Sequence, residues 1–554
     1  MSGSGWKHTY CALLVLRCCS SLGGSGYIHP DEFFQNGEVM AGQIFELHAV
    51  RTWEWDSAAP CRSIIPAFLT TGLPYELLRF ASQGEQPSPR LIFSVERAAF
   101  LLLSSILADY CLYRLVPAGR QRLTAMVLLA SSYTIHTFQI RPFSNSIEAV
   151  LVALSLVILQ DLMTTRSSGS QSGRTLYLTF MAALLVLGVF TRLTFIAFAL
   201  PIAIETIKWT VNKAFGSTPK FSIWTWARLI SLPLLVAIGT TSAFTVLDTV
   251  YFRGDVSTLI LTPLNFLLYN LSHENLAEHG LHPRWLHIAV NLPMIVGPGL
   301  LYYGVISGAE ILGSLKRKDK ADAGVVQVVK KTSLYIVTVS MAILSIQPHQ
   351  EPRFLTPLLV PFILLAVQGG RIERAGKLFW TAWVIWNVVL GLLFGVLHQG
   401  GVVPSLFYLH DQISELRANP SADVLAVSVF YWKTYMPPRH LLSIEGKDVL
   451  AGTFSLTDLS GAPSDVLIQN LLAPALTMSN GTTFLVTPPY ALQDIPVPQS
   501  SCFSMRKRVF PHLDLDHLPE SLELGWKDGL SLGVYHINTA CVRRESAEDM
   551  DRRI

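Results

Sequence analysis

Charge is what this chain has least of. Only 15% of its 554 residues are charged and 50% are hydrophobic, with a mean hydropathy of +0.40. A soluble domain carries roughly 25% charge, so the composition excludes an ordinary soluble enzyme and indicates a polytopic α-helical membrane protein. The net charge of +3 is no nucleic-acid footprint, because the positive residues sit in loops between apolar runs. The seven cysteines include no Cys-x-x-Cys pair, which removes the usual zinc and thioredoxin-like readings. Cys11, Cys18, Cys19 and Cys111 fall in apolar segments and read as packing residues, whereas Cys502 and Cys541 lie in a polar tail and can pair in an oxidising compartment. Internal repeats and low-complexity tracts are absent. A transporter would be expected to show inverted repeats and mid-span ionisable groups.

Apolar segments are plentiful. They fall near 9–28, 95–115, 123–140, 147–163, 175–190, 195–210, 229–248, 286–311, 332–347, 354–368 and 378–398, so about eleven transmembrane helices are expected. The pair 175–190 and 195–210 meets at Phe190-Thr-Arg-Leu-Thr194 and reads as a broken or re-entrant span. Lysine and arginine concentrate in alternate loops, including Arg114/Arg120/Arg122 and Arg371/Arg374/Lys377. The positive-inside rule then makes the N-terminus cytoplasmic and puts the loop after the first span on the opposite side. The sequons at Asn270 and Asn480 fall on that same far side and are the glycosylation candidates. The Ser/Gly-rich Arg166–Arg174 loop reads as mobile.

Four parts follow: 1–28 as the first transmembrane helix, 29–94 as a loop with amphipathic helices, 95–398 as a multi-span domain, and 399–554 as a small α/β C-terminal domain. In the tail a helical stretch at 405–418 precedes β-rich runs at 424–431, 483–486 and 530–535.

The polar residues that stand out are all on the far side. His29-Pro-Asp-Glu32 and Glu38 follow the first span directly, and adjacent carboxylates there are expected to face water, a partner or a substrate. The same residues also satisfy a helix start, with Asp31 as cap. Trp53-Glu-Trp55 and Pro60-Cys-Arg-Ser63 lie in the same loop, and the tryptophans suit either sugar stacking or interfacial anchoring. Four further loops carry Gln139-Ile-Arg141 to Glu148, Arg192, His279/His282/Arg284, and His349-Gln-Glu351-Pro-Arg353. Singly, each has a structural explanation: Arg141 and Arg192 as interfacial snorkelers, Arg353 as an ion-pair partner of Glu351. Together they put carboxylates, imidazoles and guanidinium groups on one membrane face, which suits an enzyme that takes a lipid-borne phosphate.

The opening His29-Pro-Asp-Glu-Phe-Phe-Gln35 resembles the first lumenal loop of glycosyltransferase family 22, the dolichyl-phosphate-mannose-dependent mannosyltransferases of GT-C fold. The Arg141–Glu148 loop, the His279–Arg284 segment and the His349–Phe354 loop are similar to that family too. His-Gln-Glu-Pro-Arg-Phe-Leu, with Pro60-Cys-Arg-Ser63, resembles the branch that adds a fourth mannose to the GPI-anchor precursor; the third-mannose branch shows His-Lys-Glu-x-Arg-Phe. The resemblance implies an α-1,2-mannosyltransferase of the endoplasmic reticulum membrane with a lumenal site, a lipid-linked donor and a GPI glycolipid acceptor, and the count of eleven spans puts the tail after residue 398 on that same side.

The donor is β-linked and the product α-linked, so transfer inverts the anomeric carbon and needs one carboxylate base. Asp31 matches the family's acidic position, with Glu32 as second choice. Arg353 and His349 are assigned to the donor phosphate, assisted by Arg141 or Arg192, while His29, Glu351, His279, His282 and Arg284 are acceptor or loop residues. No cofactor, metal or nucleic acid is called for, and Asp248, Asp255 and Asp514/Asp516 read as structural. Other readings are a third-mannose or N-glycan-precursor enzyme of the same family, a lipid flippase or carrier without chemistry, and a scaffold subunit.

Overall fold

The computed structural model describes residues 3–164, 171–215, 221–278, 280–316, 324–418, 426–477 and 481–553. His279, Asn480 and positions 165–170 of the Ser/Gly-rich loop lie outside the described residues, as does the start of the expected 424–431 strand. Each of the eleven apolar segments is helical. Among the described residues seven helices are long and apolar enough to cross a membrane, and two bent pairs bring the number to nine. One pair, His287–Val296 with Pro298–Ser314, bends by 110°. The break has a local cause: Gly297 takes φ +83°, which only glycine adopts freely, and Pro298 cannot continue the hydrogen-bond ladder. The two remaining segments are α1 (Gly3–Gly23), which carries Lys7 and Arg17, and the 12-residue helix Arg120–Ser131, which breaks at Ser132 before Ile135–Gln139.

One expectation is corrected. Residues 175–190 and 195–210 are no broken pair: Gln171–Thr191 and Phe195–Phe215 are separate 21-residue helices, each holding a stretch long and apolar enough to span a membrane by itself. A second correction concerns thiols. Cys111 is buried, but Cys11, Cys18 and Cys19 are exposed on α1 rather than packed.

The chain divides into two compact units, neither contiguous in sequence. The first comprises residues 1–21, 52–70 and 98–389. Of the seven long apolar helices the most enclosed is Ser144–Thr164, with 67% of its apolar window buried against 17% for Ile223–Arg253. A helix that is apolar all round needs neighbours or lipid on every side; Ser144–Thr164 packs on Gly173–Thr191, Phe195–Phe215 and Val325–Ile346, so it carries the polar loop at its N-terminus into the interior.

The second unit comprises residues 22–51, 71–97 and 390–554. The short helices α2 (Asp31–Phe34) and α3 (Gly37–Ile44) belong to it. So does a five-stranded sheet of β1 (Val427–Tyr431), β2 (Phe454–Asp458), β3 (Thr482–Thr487), β4 (Phe503–Val509) and β5 (Leu532–Ile537), in the order β2-β1-β3-β5-β4. β1 runs parallel to β2 and β3, and β5 antiparallel to β3 and β4. Side chains alternate across the sheet. Val427, Val429 and Tyr431 face a core shared with helix Val402–Ala418 and with Tyr27, Phe33 and Phe34; Phe430 and Trp432 face a second core with Leu467, Leu471 and Val542. Cys502 and Cys541 are joined, stapling the start of β4 to helix Thr539–Arg553.

Candidate active site: an acid hairpin and a guanidinium cluster

In the second unit, Pro30 opens α2 and places Asp31 and Glu32 in its first turn, so Asp31 is the first helical residue and not the cap. The two neighbouring acids have opposite fates. Glu32 is fully buried and ion-paired to Arg97, whose guanidinium also lies over the rings of Phe33 and Phe93 at 5.8 and 4.9 Å. Glu38 is fully buried as well: Oε1 accepts from Val50 N at 3.1 Å, and Oε2 from His440 N at 3.2 Å and His440 Nδ1 at 2.5 Å. Asp31 keeps 26% of its side chain exposed; Gln35 Nε2 donates to its Oδ2 at 2.5 Å, and His29 Nδ1 lies 3.4 Å from its Oδ1. The expectation that these carboxylates face outward therefore holds for Asp31 and fails for Glu32 and Glu38. Burial in each case is compensated by a paired donor, as a buried charge requires.

The polar loops of the first unit converge. Arg62, which sequence reasoning left without a role, donates to Glu54 at 2.6 Å and to Ser144 at 2.7 Å, and so clips its loop to the start of helix Ser144–Thr164. Arg192 Nε donates to Thr194 Oγ1, which donates to Glu148 Oε1 at 2.8 Å. Glu351 holds two basic side chains, with Arg353 on both its oxygens and His349 Nε2 at 2.7 Å from Oε1. Phe354 is a ring that organises the cluster: the Arg192 and Arg353 guanidinium groups lie 5.0 and 5.4 Å from its centroid, and His349 stands edge-on at 5.7 Å. Gln350 joins the fourth loop to the fifth, accepting from His287 N at 2.8 Å, while His282 N donates to Pro348 O at 2.7 Å. Arg141 is buried at the start of the same helix loop, and Arg284 is exposed.

The electrostatics follow from that crowding. Burial, with the guanidinium of Arg62 close by, pulls Arg192 down to about 10. Burial also works against a charged His349, but Glu351 outweighs it and raises the ring above the ordinary imidazole range. Arg62 and Arg353 pair with Glu54 and Glu351, Arg192 reaches Glu148 through Thr194, and Arg141 is buried close to Ser144 in sequence. Guanidinium groups clustered in this way suit a phosphate.

A family model described as Alg9-like mannosyltransferase matches residues 8–442, which take in both the acid hairpin and the guanidinium cluster. The chain belongs to the Alg9-like mannosyltransferase family. It is accordingly a membrane mannosyltransferase. It is 34% identical over 506 residues to "GPI mannosyltransferase 4" of Aspergillus oryzae, covering 87% of each chain. It is 34% identical over 563 residues to "GPI alpha-1,2-mannosyltransferase 4" of Homo sapiens, covering 95% of this chain and 92% of the human one. The fold is of GT-C type: the crystal structure of ArnT from Cupriavidus metallidurans bound to undecaprenyl phosphate aligns with a TM-score of 0.51 at 13% identity, over 96% of this chain and 98% of that one.

Other assigned residues of this family member fall away from these clusters or change role. Trp55 is buried, and Trp53 has a face committed to Tyr269, stacked at 3.9 Å, so neither offers an open ring pair for a sugar. Asp248 is structural: it accepts from Ser63 Oγ, Ile64 N and Thr262 Oγ1. Asp514 accepts from the Tyr490 hydroxyl at 2.6 Å and is likewise structural. Asn270 is partly exposed at the end of helix Thr262–Leu271, where its sequon is reachable.

Proposed function

We infer that the protein transfers mannose from dolichyl-phosphate mannose to the third mannose of a GPI-anchor precursor, forming an α-1,2 linkage at the lumenal side of the endoplasmic reticulum. The relatives named GPI mannosyltransferase 4, at 34% identity over nearly the whole chain, support the acceptor and the linkage. The observation that carries the chemistry is the split among the hairpin acids. Glu32 is sealed in an ion pair with Arg97 and Glu38 in hydrogen bonds from Val50 and His440, and Asp31 reaches the surface.

Asp31 is the general base. It takes the proton of the acceptor 2-hydroxyl as that oxygen attacks the anomeric carbon, and the configuration inverts in a single displacement. Gln35 and His29 steer the carboxylate. The leaving group is a lipid phosphate that departs as an anion and needs no acid. Arg353 and His349 bind it, with Arg192 and Arg141 adding positive potential; Glu351 keeps the first two in place beforehand, so little reorganisation accompanies the reaction. The disulfide Cys502–Cys541 supports a tail in an oxidising compartment, hence the lumen.

Deleting the protein in cells fed labelled mannose tests the acceptor. The three-mannose GPI lipid should accumulate and the four-mannose lipid disappear; accumulation of a two-mannose lipid or of an N-glycan precursor overturns the assignment.

A further inference from the structure

The acid-bearing hairpin does not hold its own orientation. α2 has four residues, too few to be a stable helix alone, so the direction of Asp31 is set by what packs on α2 and α3. Within the second unit that support comes from Arg97, which pairs with Glu32 of α2, and from the segment 435–446, which follows β1 and grips residues 27–50 at three points. At the near end the Tyr27 hydroxyl donates to Met436 O at 2.9 Å, and its ring meets that of Tyr435 at 5.5 Å. At the far end His48 N donates to Ile444 O at 2.7 Å and Gly446 N to Glu46 O at 3.0 Å, beside an antiparallel bridge between Leu47 and Glu445.

Between them sits the Glu38–His440 pair, both side chains fully buried. His440 binds α3 through Glu38, and its ring lies 6.4 Å from that of Phe33, two residues beyond Asp31 in α2. One imidazole thus touches both helices of the hairpin. Phe33 and Tyr27 in turn belong to the core beneath β1, together with Val429 and Leu441.

We propose that the 435–446 strap positions the catalytic base, with Glu38 and His440 as its positioning residues. The C-terminal sheet is then part of the catalytic apparatus and not an appended module. This rests on Asp31 being the base. A displacement of about 1 Å arising far from the chemistry can cost on the order of 10²-fold in rate, so the strap should act on turnover and leave binding of either substrate alone.

The test uses the full-length purified enzyme and its two substrates, with kcat and both KM values measured for His440→Leu, His440→Asn and Tyr27→Phe. His440→Leu removes the donor to Glu38 and is expected to lower kcat about 10²-fold with each KM within about twofold. Asn places an amide donor where Nδ1 sits and should restore most of the loss. Tyr27→Phe deletes one hydroxyl from the near grip and should lower kcat less, again at constant KM. A folded His440→Leu enzyme with normal kcat overturns the proposal, as does a loss confined to KM or a failure of folded His440→Asn to recover turnover. Should His440→Leu not fold, Tyr27→Phe decides, and an unchanged kcat overturns the proposal. Asp31→Asn in the same preparation separates the two ideas. If it is dead while the strap variants turn over normally, only the strap falls; if it is active, the base assignment falls.

Discussion

Replacing Asp31 by Asn and Glu32 by Gln, one at a time, separates chemistry from architecture within a single turn of helix. Asn keeps the shape of Asp31 and an oxygen for Gln35 to donate to, at a side chain that is 26% exposed. The stability cost should therefore be no more than about 1 kcal/mol. The rate cost should be that of losing a positioned base, roughly 10²–10⁴-fold, or about 3–5.5 kcal/mol of transition-state stabilisation. Glu32→Gln should do the reverse. It strips the carboxylate from Arg97, whose side chain is 2% exposed, and an uncompensated buried charge costs about 3–5 kcal/mol. Initial rates with labelled dolichyl-phosphate mannose, read beside thermal denaturation in the same lipid-detergent mixture, give both quantities. A folded Asp31→Asn enzyme with more than a tenth of the normal rate would refute the base assignment. A Glu32→Gln protein that melts normally would refute the division of labour between the two acids.

Further outcomes are expected elsewhere. Arg353→Lys keeps the charge but loses the two-point grip on Glu351, so the KM for the donor should rise about tenfold with that for the acceptor unchanged, which initial-rate kinetics reads directly. Because the pKa of His349 is raised in the folded protein, the contribution of its charge is complete below the free imidazole value near ~6.5 and is lost as pH rises through the higher folded value. Donor affinity should weaken on that alkaline limb, and His349→Gln should flatten it; a profile identical in both proteins would exclude the assignment. Cys502→Ser opens a bridge between residues 39 apart in sequence and should destabilise the tail by about 4 kcal/mol on the loop-entropy account, visible as earlier cleavage in limited proteolysis. A Cβ at Gly26 would stand 2.4 Å from Phe394 O and 2.6 Å from Gly395 C. Backbone cannot step aside as a flexible side chain can, so Gly26→Ala should lower the melting temperature and, by moving the start of the acid hairpin, the transfer rate.

Much of this architecture is legible in one dimension. Apolar runs mark the helices because length and hydropathy are local quantities, and loop charge sorts the polar clusters onto one face. The convergence of Arg62, Arg192, Glu351 and Arg353 agrees with that sorting. What stays hidden depends on partners distant in sequence. Nothing near Glu38 announces that its hydrogen-bond partner is His440, 402 residues on, or that Glu32 is sealed by Arg97. Two adjacent carboxylates look alike until their neighbours are known.

β2, Phe454-Ser-Leu-Thr-Asp458, offers only two alternating apolar residues, and β4, Phe503-Ser-Met-Arg-Lys-Arg-Val509, carries three consecutive cations that break a strand's apolar alternation. Charge on an edge strand such as β4 discourages pairing with another chain, and the same charge obscures the strand in the sequence. Arg62 had a visible signal, a lone cation in the Pro60-Cys-Arg-Ser63 loop of a charge-poor chain, yet only its contacts with Glu54 and Ser144 give it a place in the cluster.

The most direct test of the account is transfer by the purified protein alone, from dolichyl-phosphate mannose to a three-mannose GPI precursor, with linkage analysis of the product. The account predicts one added mannose in α-1,2 linkage on the third mannose. Absence of product from folded protein, or a mannose attached elsewhere, would contradict it.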